Sequence, residues 1–147
     1  MPPRQYQPAD LDQIARIERA TFERTAFSRR TFRRFHRDSR SIFLVWEEEG
    51  EVTGYVVGTL CRGSGSLYIA SIAVHSDHRR RGIATELMRS LTEQARRGEA
   101  HLIWLHVRVS NQSAIDFYKE LDFQITHRVP RYYREEDAYI MMRPLQT

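Results

Sequence analysis

The segment SDHRRRGIATELM, residues 76–88, decides how this chain folds, because it joins two stretches of different periodicity. Before it, SLYIASIAV is apolar enough to predict a central strand from Leu67 to Val74. After it, five apolar residues share one face of a predicted helix: Ile83, Leu87, Met88, Leu91 and Ala95. The three arginines and the glycine between these elements are compatible with a nucleic-acid patch, a localisation signal or a phosphate-binding loop.

The position of the arginines favours the phosphate-binding loop. A nucleic-acid patch would present its basic residues along an exposed face, whereas these lie between a strand and the first turn of a helix. Unpaired N–H groups and the positive end of the helix dipole meet at that turn, so Gly82, Ile83 and Ala84 can surround a pyrophosphate. Three side chains would add positive charge: Arg79, Arg80 and Arg81. Taken alone the motif is weak, and a solvated helix start is the alternative.

The first part of the chain predicts two helices and a hairpin. Apolar spacing indicates a helix from Leu11 to Thr21 with Asp10 as its N-cap. A second, arginine-rich helix starts near Ser28, and its basic face is expected to be solvated. The apolar face of that helix carries Phe32 and Phe35. The alternating segment SIFLVWEEEGEVTGYVVGTLCRG then turns at Glu49-Gly50, which predicts a hairpin.

The second part of the chain completes a mixed α/β sheet. HLIWLHVRV reads as a strand, NQSAIDFYKEL as a helix, and FQITHRV and DAYIMMRPL as two closing strands. A strand, a helix and a strand in succession require a right-handed parallel crossover. We therefore predict a mixed sheet with helices on its faces.

Length and composition predict one globular domain over residues 1–147. The net charge is +4, and only Lys119 among the 23 basic residues is a lysine. This mild positive charge favours an anionic ligand, while an arginine bias over the whole chain says little about DNA. Cys61 is the single cysteine and the six histidines show no metal-ligand spacing, so neither a disulfide nor a metal is expected. No signal peptide or membrane-length apolar run is present in the sequence, which predicts a soluble cytoplasmic protein.

Two motifs at the expected separation resemble the GCN5-related N-acetyltransferase (GNAT) family. RRRGIA, residues 79–84, matches the family's (Gln/Arg)-x-x-Gly-x-(Gly/Ala) loop, and NQSAIDFYKELDF matches its Asn-x-x-Ala-x-x-x-Tyr-x-x-x-Gly-Phe segment. The resemblance implies acetyl-CoA as cosubstrate and a V-shaped splay between the central parallel strands. The cofactor-binding positions that it implies are Ile72, Ala73, Val74, Arg79, Arg80, Arg81, Gly82, Ile83, Ala84, Asn111 and Tyr118.

Within the family, LYIASIAV, LHVRVSNQSAIDFYKELDF and RYYREEDAYIMM resemble the protein N-terminal acetyltransferases of the RimI, Ard and NatE types. The resemblance to the NatE type implies that Tyr68 and His106 together carry the general-base chemistry. RimI-like enzymes have a glutamate at the position of His106. The same resemblance also implies that Tyr118 protonates the departing thiolate. The chemistry is consistent, because an N-terminal ammonium has a pKa of about 7.7 to 8.0 and needs only a mild base. His106 would act directly or through an ordered water.

Each of these side chains also has a purely structural interpretation. His106 and Tyr68 could be packed strand residues with satisfied polar atoms, and Tyr118 lies on the apolar face of its helix. Asn111 could simply cap that helix. The resemblance implies that Tyr132 and Tyr133 hold the substrate peptide's backbone, although an ordinary aromatic loop is the alternative.

The sequence departs from the family pattern at two places. The loop TFERTAFSRRTF lacks the family's usual proline, so Phe22 and Phe27 are only candidates for the pocket that receives the first substrate residues. Asp122 replaces a glycine at a position that often has a positive φ, which aspartate tolerates at modest cost. We expect the fold to survive this change.

The leading hypothesis is an acetyl-CoA-dependent N-α-acetyltransferase that acts in a ternary complex on protein N-termini, including those of ribosomal or nascent chains. The alternative enzyme acetylates lysine or a small amine such as a polyamine or aminoglycoside, and the acidic segment REED, residues 134–137, keeps it open. The non-enzymatic alternative is an arginine-rich module that binds nucleic acid or the ribosome. No membrane partner and no specific nucleic acid are expected, and a monomer is plausible.

Overall fold

The computed structural model describes residues 3–79 and 82–146. Over these residues the chain forms seven strands, which are β1 (Arg4–Gln5), β2 (Ser41–Glu48), β3 (Glu51–Cys61), β4 (Ser66–Val74), β5 (Leu102–Arg108), β6 (Gln124–Val129) and β7 (Ala138–Pro144). It also forms four α-helices, which are α1 (Leu11–Phe22), α2 (Arg29–Arg37), α3 (Ile83–Arg97) and α4 (Gln112–Glu120). The predicted order of the four helices and of strands β2 to β7 is confirmed, whereas β1 was not predicted from the sequence.

All seven strands belong to one sheet in the order β1-β2-β3-β4-β5-β7-β6. Strands β4 and β5 are parallel, and the other neighbouring strands are antiparallel. The crossover from β4 through α3 to β5 is therefore the predicted parallel connection. Among the described residues, the pairs that join β4 to β5 are Ser66–Leu102, Leu67–Ile103 and Tyr68–Trp104. A V-shaped splay would require β4 and β5 to separate after their first few residues, as these three pairs allow. The splay itself stays a prediction.

Two apolar clusters cover the two faces of the sheet. Residues that alternate along the strands, such as Leu67, Ile69 and Leu105, pack with α3 and α4 on one face. The opposite face of β2 and β3 packs with α1 and α2, where Phe32 is fully buried. A strand residue therefore points either to the α3/α4 face or to the α1/α2 face, and this alternation positions the site.

Local turn chemistry explains several element boundaries. The hairpin turns at Glu49 and Gly50, which have φ values of 50° and 82°, as a tight turn between antiparallel strands requires. Ser28 caps α2 by accepting a hydrogen bond from the Thr31 amide at 3.2 Å. Asp122 has the expected positive φ, 69°. These three predictions are confirmed.

The prediction that Asp10 is the N-cap residue of α1 is confirmed, but the side-chain hydrogen bond typical of a cap is missing. Asp10 occupies the N-cap position of α1, but its backbone is already helical, and its side chain makes no capping bond to that helix. The carboxylate instead accepts hydrogen bonds from the Gln7 amide at 2.8 Å and from both terminal nitrogens of Arg4 at 2.9 Å. It caps the short 3-10 turn that precedes α1, so the helix start is anchored to β1.

None of the helices within residues 3–79 and 82–146 is both long enough and apolar enough to cross a membrane.

Candidate active site

Tyr68 and His106 lie side by side on the two parallel strands. Tyr68 of β4 pairs with Trp104 of β5, and His106 lies two residues further along β5, so all three side chains point to the same face. The Tyr68 hydroxyl oxygen is 2.8 Å from Nδ1 of His106. The two residues that were predicted from the sequence to carry the general-base chemistry therefore lie within hydrogen-bond distance of each other.

Burial keeps both of these groups uncharged near neutral pH. Desolvation lowers the pKa of His106 below its ordinary value of about 6.5. Desolvation, with a smaller contribution from Tyr132, raises the pKa of Tyr68 well above its ordinary value of about 10. A neutral imidazole with an open nitrogen can accept a proton, and a protonated phenol can orient that imidazole.

The loop between β6 and β7 covers this pair with two tyrosines. The Tyr132 ring stacks on the His106 ring, with centroids 4.0 Å apart and planes 7° from parallel. Tyr133 packs edge-on against Tyr132 at 4.9 Å. Burial raises the pKa of Tyr133 to about 12, so its hydroxyl also stays protonated. Four of the proposed side chains thus form one aromatic group around the His106 nitrogens.

Arg108 and Glu136 hold this loop in place, and the sequence analysis missed both. The Arg108 guanidinium lies 4.2 Å above the Tyr133 ring and also bonds Glu136 at 3.2 Å. The second carboxylate oxygen of Glu136 accepts a hydrogen bond from the Ser110 amide at 2.8 Å, and its carbonyl accepts one from the Tyr133 amide. Arg108 ends β5, so this network ties the tyrosine loop to the strand that carries His106.

Two of the three carboxylates of the acidic segment REED, those of Glu136 and Asp137, are engaged within the protein. Glu136 bonds Arg108, and Asp137 accepts hydrogen bonds from the Arg128 side chain at 2.8 Å and the Arg131 amide at 2.9 Å. Hydrogen bonds lower the pKa of both carboxyls, mainly those from the Ser110 side chain and then its amide for Glu136, and that from the Arg131 amide for Asp137. An acidic pocket for a polycation would need unpaired carboxylates, and these two are already paired.

The start of α3 has the backbone conformation that a phosphate-binding loop needs. Gly82 adopts φ 79° and ψ 5°, a left-handed conformation that L side chains rarely adopt, and its carbonyl accepts from the Glu86 amide. Apart from its chain neighbours and the backbone of α3 itself, no atom of the described residues lies within 4 Å of the position that a Cβ would take at Gly82. The Arg79 side chain turns back and donates to the Val74 carbonyl at 3.1 Å. Arg80 and Arg81 lie outside the described residues.

Gly54 sets how closely this helix start approaches the sheet. A Cβ at Gly54 of β3 would lie 3.1 Å from the Ile83 side chain and 3.3 Å from the Ala73 carbonyl. The missing side chain therefore lets the first residue of α3 pack directly on β3, beside the end of β4. A lone glycine inside a strand is a sequence signal for such a close approach, and the sequence analysis did not use it.

Tyr118 and Asn111 satisfy their structural interpretations. Tyr118 is buried on the α3/α4 face, opposite to His106, where its ring packs edge-on against Phe117 and Phe123. Burial raises the pKa of Tyr118, and Tyr133 adds to the shift. The side chain of Asn111 caps α4 by accepting from the Ala114 amide at 3.2 Å. Neither observation tests a role beside the cofactor.

Phe22 and Phe27 lie in the apolar cluster of α1 and α2 and are only partly buried. The Phe27 amide donates to the carboxylate of Glu18 at 3.0 Å. Glu18 is almost fully buried and also accepts hydrogen bonds from Tyr55 and Ser71, so the loop that carries Phe27 is tied to β3 and β4. Ala70 of β4, two residues from Tyr68, packs against the same cluster as these two phenylalanines.

The remaining proposed positions are on β4 and α3. Ile72, Ala73 and Val74 pair with β3, and Ala84 lies in the first turn of α3. Among the described residues, no group of three or more histidine, cysteine, aspartate and glutamate side chains is arranged to hold a metal ion.

The mixed sheet, its parallel crossover and the left-handed glycine that starts α3 are those of an N-acetyltransferase. Residues 10–123 match the sequence model of the acetyltransferase (GNAT) family, so the chain belongs to that family, which uses acetyl-CoA.

Similar proteins agree with this assignment. The chain is 34% identical to an N-alpha-acetyltransferase of Sulfurisphaera tokodaii, over 92% of this chain and 88% of the relative. The crystal structure of Ard1 from Thermoplasma volcanium superposes with a TM-score of 0.91 at 28% identity, covering 99% of this chain and 97% of that one. The ribosomal-protein-S18-alanine N-acetyltransferase from Escherichia coli shares the fold, with a TM-score of 0.86 at 24% identity over 99% and 94% of the two chains. The resemblance found in the sequence is confirmed.

Proposed function

We propose that the chain, as one domain, transfers the acetyl group of acetyl-CoA to the free α-amino group of protein N-termini in a ternary complex. The observation that carries the catalytic part is the 2.8 Å contact between Tyr68 and Nδ1 of His106, both kept uncharged by burial. The similarity to N-alpha-acetyltransferases supports the choice of acceptor.

We assign the proton of the neutral imidazole to Nδ1, which then donates to the Tyr68 oxygen. This tautomer leaves the lone pair of Nε2 open as the base. The α-ammonium has a pKa of about 7.7 to 8.0, so a neutral histidine can take its proton, directly or through one ordered water. The freed amine attacks the thioester carbonyl, the carbon–sulfur bond breaks, the nitrogen releases its second proton to solvent, and the thiolate leaves.

Tyr118 is the proposed hydrogen-bond donor to the departing thiolate. A thiol has a pKa of about 8.5, below the roughly 10 of an ordinary phenol. Because burial raises the pKa of Tyr118 further, its phenol stays protonated and can donate at all working pH values. It therefore lowers the energy of the thiolate mainly through a hydrogen bond.

The acetyl-CoA site is proposed along the end of β4 and the start of α3. Gly82 fits a pyrophosphate because its left-handed backbone opens the first turn and because no side chain of the described residues fills the space beside it. The amides of Ile83 and Ala84 would supply donors, and Arg79 to Arg81 would supply charge. The backbone from Ile72 to Val74 and the side chain of Asn111 would orient the pantetheine chain.

The acceptor is proposed to be an extended N-terminal peptide, including nascent or ribosomal chains in the cytoplasm. Tyr132 and Tyr133 are proposed to contact its backbone, which is supported by the Arg108 and Glu136 network that holds their loop. Phe22 and Phe27 are proposed to line the pocket for its first residues. Lysine or polyamine acetylation is disfavoured, because Glu136 and Asp137 are already paired within the protein.

The direct test measures free CoA after incubation with acetyl-CoA and matched acceptors. We expect release with peptides that have a free N-terminus. We expect none with the same peptides after N-terminal blocking, even where they contain lysine. Release confined to lysine peptides, polyamines or aminoglycosides would contradict the proposal.

A further inference from the structure

Helix α2 carries the whole net positive charge of the protein. The helix RRTFRRFHR contains five arginines and no acidic residue, and the chain as a whole has a net charge of +4. The rest of the chain therefore has a net charge of −1. A positive charge confined to nine residues is a localised feature that the general arginine bias does not explain.

Four of these arginines form one exposed stripe. Arg30, Arg33, Arg34 and Arg37 follow the i, i+3, i+4, i+7 spacing of one helix face, and all four are exposed. The opposite face holds the helix to the sheet, because Phe32 is fully buried and packs edge-on against Tyr55 at 5.8 Å. The stripe is thus presented on a rigid element.

The nearby carboxylates are occupied by other arginines. Asp12 of α1 pairs with Arg29, and Asp38 at the end of α2 pairs with Arg40 at 2.9 Å. Within residues 3–79 and 82–146, no carboxylate lies within ion-pair distance of the four stripe guanidiniums. Arg33 interacts electrostatically with Asp12 but makes no ion pair with it, and the stripe guanidiniums are therefore available for an external anion.

We propose that this stripe, residues 30, 33, 34 and 37, binds the phosphate backbone of duplex RNA on the ribosome. The stripe is about 10 Å long, a length along which a nucleic-acid duplex presents about six phosphates. Arginine forks bind phosphate oxygens bidentately, and backbone contacts of this kind do not read sequence. The choice of RNA over DNA rests on the proposed function, because nascent N-termini emerge at ribosomes.

Two other partners fit the stripe less well. A helix that binds a membrane surface exposes large apolar side chains beside its basic ones, whereas Phe32 and Phe35 of α2 turn toward the protein core. A protein interface usually centres on aromatic anchors, and the stripe contains only arginines. A single-sign, periodic partner such as a phosphate backbone matches it better.

The test measures binding of a labelled RNA duplex of about 20 base pairs between about 50 and 200 mM salt, by fluorescence anisotropy. Four phosphate contacts predict roughly a hundredfold loss of affinity over that range. The variant Arg33→Gln/Arg37→Gln should reduce the slope of log affinity against log salt by about 2. The control Arg96→Gln/Arg97→Gln removes the same charge from the exposed end of α3 and should leave the slope unchanged. Sedimentation with purified ribosomes should rank the three proteins in the same way.

The inference would be overturned if both variants reduced the slope equally, or if the protein did not bind RNA at about 50 mM salt. Tighter binding to a DNA duplex or to phosphatidylserine vesicles would also overturn it. Measuring the acetylation of a short N-terminal peptide distinguishes failure of the RNA inference from failure of the proposed function. Both variants should retain wild-type peptide turnover. If wild-type protein acetylates the peptide and does not bind RNA, only the RNA inference fails. If it acetylates no peptide, the proposed function fails.

Discussion

The hydrogen bond between Tyr68 and His106 predicts a specific pattern in a double-mutant cycle. His106→Ala removes the proposed base. Tyr68→Phe removes one hydroxyl but keeps the ring that packs on Trp104, with centroids 4.6 Å apart. Because one hydrogen bond of 2.8 Å joins the two side chains, their effects on kcat should not be independent.

The expected magnitudes follow from what each change removes. Loss of a general base should lower kcat by roughly 10² to 10⁴. Loss of one partly buried hydrogen bond costs about 0.5 to 1.5 kcal/mol, so Tyr68→Phe should lower kcat by roughly 2- to 12-fold. In the double variant the hydroxyl has already lost its partner, so its kcat should equal that of His106→Ala alone.

The measurement is CoA release at saturating acetyl-CoA with one N-terminal peptide, together with the Kd of acetyl-CoA by calorimetry. The Kd should stay at the wild-type value in all three variants, since neither side chain is proposed to hold the cosubstrate. His127→Ala is the matched control, because His127 is exposed on β6. If the double variant loses the product of the two single losses, the coupled pair is refuted. Wild-type turnover in His106→Ala would remove its proposed role altogether.

Three further predictions concern other parts of the site. Because burial lowers the pKa of His106, its neutral form is present at neutral pH, and kcat/KM should fall only below about pH 6.5. Because the pKa of His106 is lower in the folded than in the unfolded protein, the free energy of unfolding should also decrease as the pH falls below about 6.5. A kcat/KM profile whose acidic decline is centred above about pH 6.5 would contradict the assignment of His106 as the base. Gly82→Ala should lower the free energy of unfolding by about 1 kcal/mol, measured by denaturation, and should weaken acetyl-CoA binding, measured by calorimetry. The control Gly63→Ala, at an open position without a positive φ, should change neither quantity. Glu136→Gln should raise the KM for peptide a few-fold without changing acetyl-CoA affinity, and an equal effect of the exposed Glu135→Gln would argue against the loop network.

Local patterns predicted the elements of the fold because each element is determined largely by its own residues. The hairpin at Glu49 and Gly50 and the left-handed Asp122 follow from turn chemistry that spans only a few positions. Asp10 is the N-cap residue as predicted, but it makes no capping bond to α1 because Arg4 and the Gln7 amide take up its carboxylate. A cap rule that considers only the following helix cannot include that competition.

The same distinction applies to the candidate site. Motif resemblance located Tyr68, His106 and the tyrosine loop, and strand alternation then explains why the first two point to the same face. The link between Arg108 and Glu136 joins residues 28 positions apart, through a loop in which Arg131 and Arg134 have positive φ. Neither periodicity nor a motif encodes such a loop conformation. Gly54 is different, because an isolated glycine in a strand already signalled a close approach.

The two arginine-rich segments of the chain show why charge alone was ambiguous. In residues 79–84, the proposed binding groups are backbone amides at the start of α3, and the Arg79 side chain is engaged with the Val74 carbonyl. In α2 the charge is carried by side chains along the helix, and those of Arg30, Arg33, Arg34 and Arg37 form an exposed stripe without an ion-pair partner among the described residues. The nucleic-acid interpretation that RRRG suggested therefore fits RRTFRRFHR better, because a phosphate backbone is recognised by charged side chains, whereas one bound pyrophosphate is recognised by the amides of a helix start.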